Sequence, residues 1–116
     1  MAPVVQSEHK KFDEMKQKVY ISGAIAHHDM EERRRAFADA ARFLNLKGYE
    51  PVNPFDNGLP AEAHWRLHMR ADIALLLGCD YIYMLSGWEL SKGAKLELDV
   101  ASSCGISVMF ENQLNP

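Results

Sequence analysis

Four short apolar runs punctuate the chain, and the stretches between them repeat apolar residues every three to four positions. Val19-Tyr20-Ile21 is β-prone and is stopped by Ser22-Gly23. From Asp29 to Lys47, residues Phe37, Ala40, Ala41, Phe43 and Leu44 follow a 3.6-residue period, and Gly48 suits the position just past a helix end. Tyr49 to Val52 reads as a second strand ended by Asn53-Pro54, and Phe55 to Pro60 as loop by composition. A second helix is expected from Ala61 to Leu77, with Trp65, Met69, Ile73 and Leu76 along one side and Gly78 at its end. Tyr81 to Leu85 is a continuous apolar run, typical of a strand buried on both faces. A third helix opens at Ser91 or Lys92 and is closed by Gly105. Ile106 to Phe110 is a fourth strand, and the tail, Glu111 to Pro116, is polar.

This alternation predicts an α/β fold: a doubly wound parallel sheet of four to five strands, with helices on both faces and strand one central. Residues 1–18 are polar with little pattern and read as an extension, partly helical around Phe12 to Lys16, ahead of a domain over 19–116. In such sheets ligands bind beyond the carboxyl ends of the strands, where the strand order switches. Three loops qualify: Ser22 to His28, Asn53 to Pro60, and Ser86 to Ser91.

Composition narrows the partners. The chain has 116 residues, 47% of them hydrophobic and 25% charged, which suits one globular domain. A net charge of −3 argues against a nucleic-acid polymer as partner, but leaves room for a single nucleotide. Neither Cys79 nor Cys104 sits in a metal-binding or disulfide pattern, so both read as buried free thiols. With no apolar stretch of membrane-spanning length and no signal-peptide pattern, a cytoplasmic protein is expected. No cofactor motif is present and none is expected.

The candidate chemistry gathers at the same sheet edge. Glu97 shares a helical face with Ala94 and Ala101, where a core residue would be expected. Ser91 precedes it at the helix start, an anion-binding position, and Gly93 permits close approach to the backbone. At 1.5 Å per residue, Glu97 lies ~6 Å along the axis from Gly93, so a phosphate at the helix start would place a sugar near it. Asp72 lies on the second helix, and Tyr20 on strand one beside Ser22 and Gly23. Each residue has a plainer reading. Ser91 can be an N-cap, Glu97 a helix-dipole residue, Asp72 a surface carboxylate and Tyr20 a core tyrosine. The coincidence of Tyr20, Asp72 and Glu97 at one edge favours a site.

The segments "VYISGAIA", "GYEPVNPF", "MRADIALLLGCDYIYML" and "GWELSKGAKLELDVA" resemble the nucleoside 2-deoxyribosyltransferase superfamily, over Val19 to about Val108. The resemblance implies a flavodoxin-like, Rossmann-like three-layer sandwich. It implies that Glu97 is the nucleophile that attacks an anomeric carbon, that Asp72 handles protons on the departing base, and that Tyr20 orients the glutamate. The reaction would be the double displacement of retaining glycosidases. Members acting on free nucleosides have an aspartate at the position of Ser91, whereas the nucleotide N-hydrolases have serine, which does not repel a phosphate. Those hydrolases also carry a serine and an arginine where this chain has Ala24 and Ala26. Of the nearby residues, His27, His28, Arg33 and Lys92 are polar enough to compensate. The family commonly forms homodimers or higher homo-oligomers.

Trp88, in the loop after strand three, is placed either to stack on a nucleobase or to cover the sheet edge. His64 and His68 have metal-compatible i, i+4 spacing but no third ligand, so a solvated face is expected. Asn53 and Asp56 read as turn residues. Two functions compete: an N-glycosidase or deoxyribosyltransferase acting on a small nucleoside or nucleotide, and a non-catalytic nucleotide-binding sensor with the same pocket. The glycine-rich motif of the "lonely guy"-type phosphoribohydrolases is absent.

Overall fold

The computed structural model describes residues 16–114. The expected N-terminal extension lies outside the described residues up to position 15. Strands β1 (Lys18–Ser22), β2 (Glu50–Val52), β3 (Tyr81–Met84) and β4 (Ser107–Phe110) alternate with helices α1 (Met30–Leu46), α2 (Trp65–Leu77) and α3 (Lys92–Ser103). A short helix α4 (Glu111–Leu114) follows β4 in the segment expected to be tail. The sheet has four strands, all parallel, in the order β2-β1-β3-β4. β1 is thus interior and the order reverses at β1, as expected for a doubly wound sheet.

Alternation along the strands sorts the core into two layers. Val19 and Ile21 of β1, with Tyr83 and the following Leu85, pack under Phe37, Ala40 and Leu44 of α1. Tyr20 of β1, with Ile82 and Met84 of β3, faces Leu76 of α2 and Ala94 and Ala101 of α3. The interior strands β1 and β3 are buried on both faces, which explains their continuous apolar runs. β2 carries Pro51, which cannot complete a ladder on both sides and is tolerated because β2 is an edge.

Local signals set the helix starts. The Asp29 side chain accepts from the Glu31 amide and caps α1. His64 does the same for α2 through the Arg66 amide at 3.1 Å, so α2 begins at Trp65 rather than Ala61. The register of α2 also differs from the expected one. Met69, Asp72 and Leu76 are its buried residues, whereas Ile73 is only half-buried and Trp65 is 42% exposed. Cys79 is buried, but Cys104 is exposed past the end of α3, so only one of the two thiols is a core residue. No helix among the described residues is long and apolar enough to cross a membrane.

Gly23, directly after β1, sits against the next strand's exit. A Cβ there would lie 3.0 Å from Leu85 Cβ and 3.1 Å from its Cδ1. Such overpacking between interior segments costs roughly 1–3 kcal/mol. Gly23→Ala is therefore expected to lower the urea midpoint accordingly. An unchanged midpoint would show that Leu85 gives way freely.

Candidate active site

The carboxyl end of β1, the loops after β1, β2 and β3, and the starts of α1, α2 and α3 line a cavity of about 630 Å3. Its volume falls within the range of small-molecule sites, about 300–1,000 Å3. Tyr20, Asp72 and Glu97 all line it, together with Ser91, Gly93 and Gly23. The three residues assigned to chemistry thus face one space.

Glu97 is 5% exposed. The Tyr20 hydroxyl donates to its Oε2 at 2.8 Å, and the Ser22 hydroxyl donates to its Oε1 at 2.7 Å. Burial dominates its ionisation and pushes the pKa up to about 7, against the two hydroxyl bonds, which favour the charged form; nearby Asp72 raises it further. Burial and the Glu97 charge hold the Tyr20 phenol well above its ordinary value, so it stays a donor. Ser22 is 1% exposed, lies behind the cavity wall and directs its hydroxyl at Glu97.

Asp72 is 7% exposed, not a surface carboxylate. Its pKa is raised by burial, opposed by a hydrogen bond from Asn57. The Asn57 amide nitrogen lies 2.8 Å from Asp72 Oδ1 and 3.0 Å from His68 Nδ1. Asn57 did not stand out in the sequence, and His68, expected on a solvated face, is half-buried and lines the cavity instead. Asn57 is on one of the three loops at the productive edge, and His68 is one helical turn before Asp72, so both signals were present.

Ser91 does cap α3, accepting from the Ala94 amide at 3.1 Å, and lines the cavity as well. Gly93 has a packing reason beyond ligand approach. A Cβ there would lie 3.2 Å from Met69 Sδ, where α2 and α3 meet. Trp88 is not part of the cavity wall. Its ring packs at 5.9 Å from that of Phe110, the sheet-edge position that was one of its two expected placements. Trp65 is the tryptophan in the wall, with Lys92 Nζ 5.2 Å from its ring centroid.

Polar residues at the mouth include His27, His28, Arg34 and Lys92. His27 has a left-handed backbone, φ 67°, which is costly for a residue with a Cβ. Arg33 turns away from this role: its Nε donates to the Ala24 carbonyl at 2.7 Å and braces the loop after β1. Asn53 closes its turn by accepting from the Phe55 amide. His64 caps α2 and His68 bonds to the Pro60 carbonyl, and no cluster of three or more metal-ligating side chains occurs among the described residues.

Several solved structures have this architecture. A 2-deoxyribosyltransferase from the psychrotolerant bacterium Bacillus psychrosaccharolyticus aligns with a TM-score of 0.63 at 18% identity, over 80% of this chain and 70% of that one. A conserved protein from Enterococcus faecalis V583 aligns with a TM-score of 0.62 at 22% identity, over 82% of this chain and 62% of that one, so this chain spans less than two thirds of it. A CMP N-glycosidase from Clostridium botulinum aligns with a TM-score of 0.57 at 21% identity, over 81% of this chain and 70% of that one. The chain has the three-layer α/β fold of the deoxyribosyltransferase-like proteins. In sequence, the family described as a domain of unknown function, DUF4406, matches residues 17–110. No curated protein matches the chain at a significant level.

The raised pKa of Glu97 links the site to stability. A carboxyl whose folded pKa exceeds its unfolded one stabilises the fold while protonated. That contribution is present below the ordinary value of 4.5 and is lost as pH rises through about 7. The loss is on the order of 3 kcal/mol. Glu97→Gln removes the buried charge, so the variant is expected to be more stable than the parent at pH 8 and to lose that advantage at pH 4. Urea titrations at the two pH values measure it. An equal difference at both would mean that Glu97 ionises normally.

Proposed function

The chain belongs to the DUF4406 family, and for this member we propose an N-glycosidase or deoxyribosyltransferase that cleaves the N-glycosidic bond of a (deoxy)nucleoside or its 5′-monophosphate through a glycosyl-Glu97 ester. One observation carries the reading. A glutamate on an otherwise apolar helix face is buried, held by two hydroxyls, and open to a cavity shared with a second buried carboxyl. Helix-dipole stabilisation alone does not require such burial. The similar folds named for deoxyribosyl transfer and CMP N-glycoside cleavage support the same class.

The chemistry follows from the groups. The hydroxyl bonds hold the Glu97 carboxylate in one orientation, and each of its oxygens keeps lone-pair capacity beyond its single bond. One oxygen attacks the anomeric carbon as the C–N bond breaks and its electron pair passes to the base. Ester formation discharges a carboxylate that burial disfavours, so desolvation drives the attack forward. Asp72, raised by burial towards the protonated form, donates to the leaving nitrogen. In the second half Asp72 takes a proton from water or an acceptor base, whose oxygen or nitrogen displaces Glu97 from the anomeric carbon.

A sensor reading has one observation in its favour. Ala24 and Ala26 line the cavity at the positions where a serine and an arginine would hold phosphate. Arg34, His27, His28 and Lys92 are the cationic or titratable side chains at that mouth. Ser91 adds a hydroxyl at the start of α3, where the helix dipole favours an anion.

Glu97→Gln should lower base release by several orders of magnitude while keeping the fold. Mass spectrometry of the parent trapped with substrate should find a glycosyl adduct on Glu97. Because the attacking form is ionised, kcat/KM should fall about tenfold per pH unit below about 7. Undiminished turnover by Glu97→Gln would end the double-displacement reading. No base release by the parent from a full panel of nucleosides and nucleotides would favour the sensor.

Ser91→Asp tests the phosphate. Aspartate caps a helix as well as serine does, so stability should hold while a negative charge enters the anion site. Nucleotide binding is expected to weaken more than nucleoside binding, read by calorimetry. Equal effects would place no phosphate at Ser91.

A further inference from the structure

The Asn57 side chain links the loop after β2 to two residues of α2. Asn57 Oδ1 accepts from the Leu59 amide at 2.9 Å. A backbone N–H can only donate, so this bond decides which end of the Asn57 amide is oxygen. The two hydrogens of Nδ2 then point to Asp72 Oδ1 at 2.8 Å and to His68 Nδ1 at 3.0 Å. His68 Nδ1 must therefore accept, and the ring proton sits on Nε2, which lies 3.1 Å from the Pro60 carbonyl oxygen and donates to it. Gly58, with φ 86°, makes the turn that brings Pro60 back over the helix. His68 and Asp72 are one turn apart on α2, so one amide bridges both.

From this relay we infer that Asn57 and His68 are positioning residues for Asp72, locking one carboxyl oxygen so that the other is presented to the base of the substrate. The inference rests on the reading of Asp72 as the proton donor to the leaving base. All three side chains line the cavity, and Asp72 is 7% exposed. A carboxyl that rotates freely would spend much of its time unable to reach the leaving nitrogen, and fixed geometry is a large part of proton-transfer catalysis. His68 sets the direction of the relay. Its bare Nδ1 accepts one Asn57 hydrogen, which leaves the other for Asp72, and its Nε2–H ties the loop down at Pro60.

The first test needs no substrate. A long-range 1H–15N spectrum of the full chain should show the His68 ring proton on Nε2, with Nδ1 bare. A proton on Nδ1 would break the relay and overturn the inference. The second test is a double-mutant cycle on base release. Asp72→Asn should lower kcat by about 10²- to 10⁴-fold, the usual worth of general acid catalysis, and Asn57→Ala by roughly tenfold with KM little changed. If Asn57 acts through Asp72, Asn57→Ala/Asp72→Asn should be no slower than Asp72→Asn. Losses that multiply would show independent, merely structural effects and overturn it. His68→Gln offers the relay one acceptor and one donor and should restore most of the kcat that His68→Leu loses; equal losses count against the role. Glu97→Gln separates the two layers. If it abolishes turnover while the Asn57 and Asp72 losses multiply, only the positioning role falls. If the parent releases no base at all, the enzymatic reading falls and takes the positioning role with it.

Discussion

Two hydroxyls on β1 reach across to the carboxylate of Glu97 on α3, at 2.8 and 2.7 Å, and much of the molecule is arranged around those bonds. A buried carboxylate is tolerable only where hydrogen bonds replace its lost water. Tyr20 and Ser22 meet that need because they are two residues apart on one strand and so face the same side of the sheet. Both must be on an interior strand, under α3, for the carboxylate to be shielded. The residual imbalance appears as the upward shift of Glu97, to about 7. The same shift that weakens the fold at alkaline pH leaves a poorly solvated carboxylate at the cavity floor.

The cavity depends on the strand order. Because the chain passes from β1 to β2 on one side and returns to β3 on the other, the loops after β1 and β3 diverge and leave a crevice. α2 and α3 wall it, and they approach closely because Gly93 has no Cβ to meet Met69. Gly23 plays the matching part beneath, where Leu85 fills the space a side chain would take. The glycines at this edge thus serve packing first, and the ligand space is what their packing leaves open.

Local order was largely legible in the sequence. The 3.6-residue period placed α1 within one residue at each end, and the apolar run at 81–85 marked a strand buried on both faces. The plainer of the two readings of Ser91, an N-cap, is met at the start of α3. The pattern misled where two faces fit it equally. On α2 the series Trp65, Met69, Ile73 and Leu76 satisfies the helical period, yet the buried set is Met69, Asp72 and Leu76, which satisfies it too. Trp88 gave no local signal of its partner, since Phe110 is on another strand. Asn57 was one polar residue in a loop until the turn at Gly58 brought it against α2.

The sequence by itself determined the four strands, the three long helices to within a few residues, their parallel arrangement and the three loops at the productive edge. Those depend on periodicity and turn chemistry between near neighbours in the chain. Only the tertiary structure decided which polar residues meet. Tyr20 and Ser22 lie 77 and 75 positions from Glu97, and Asn57 lies 15 from Asp72. No local preference encodes such pairings. They exist because β1 and β3 became neighbours and α2 and α3 closed over the same face, burying carboxyl groups that could then be satisfied only by one another's surroundings.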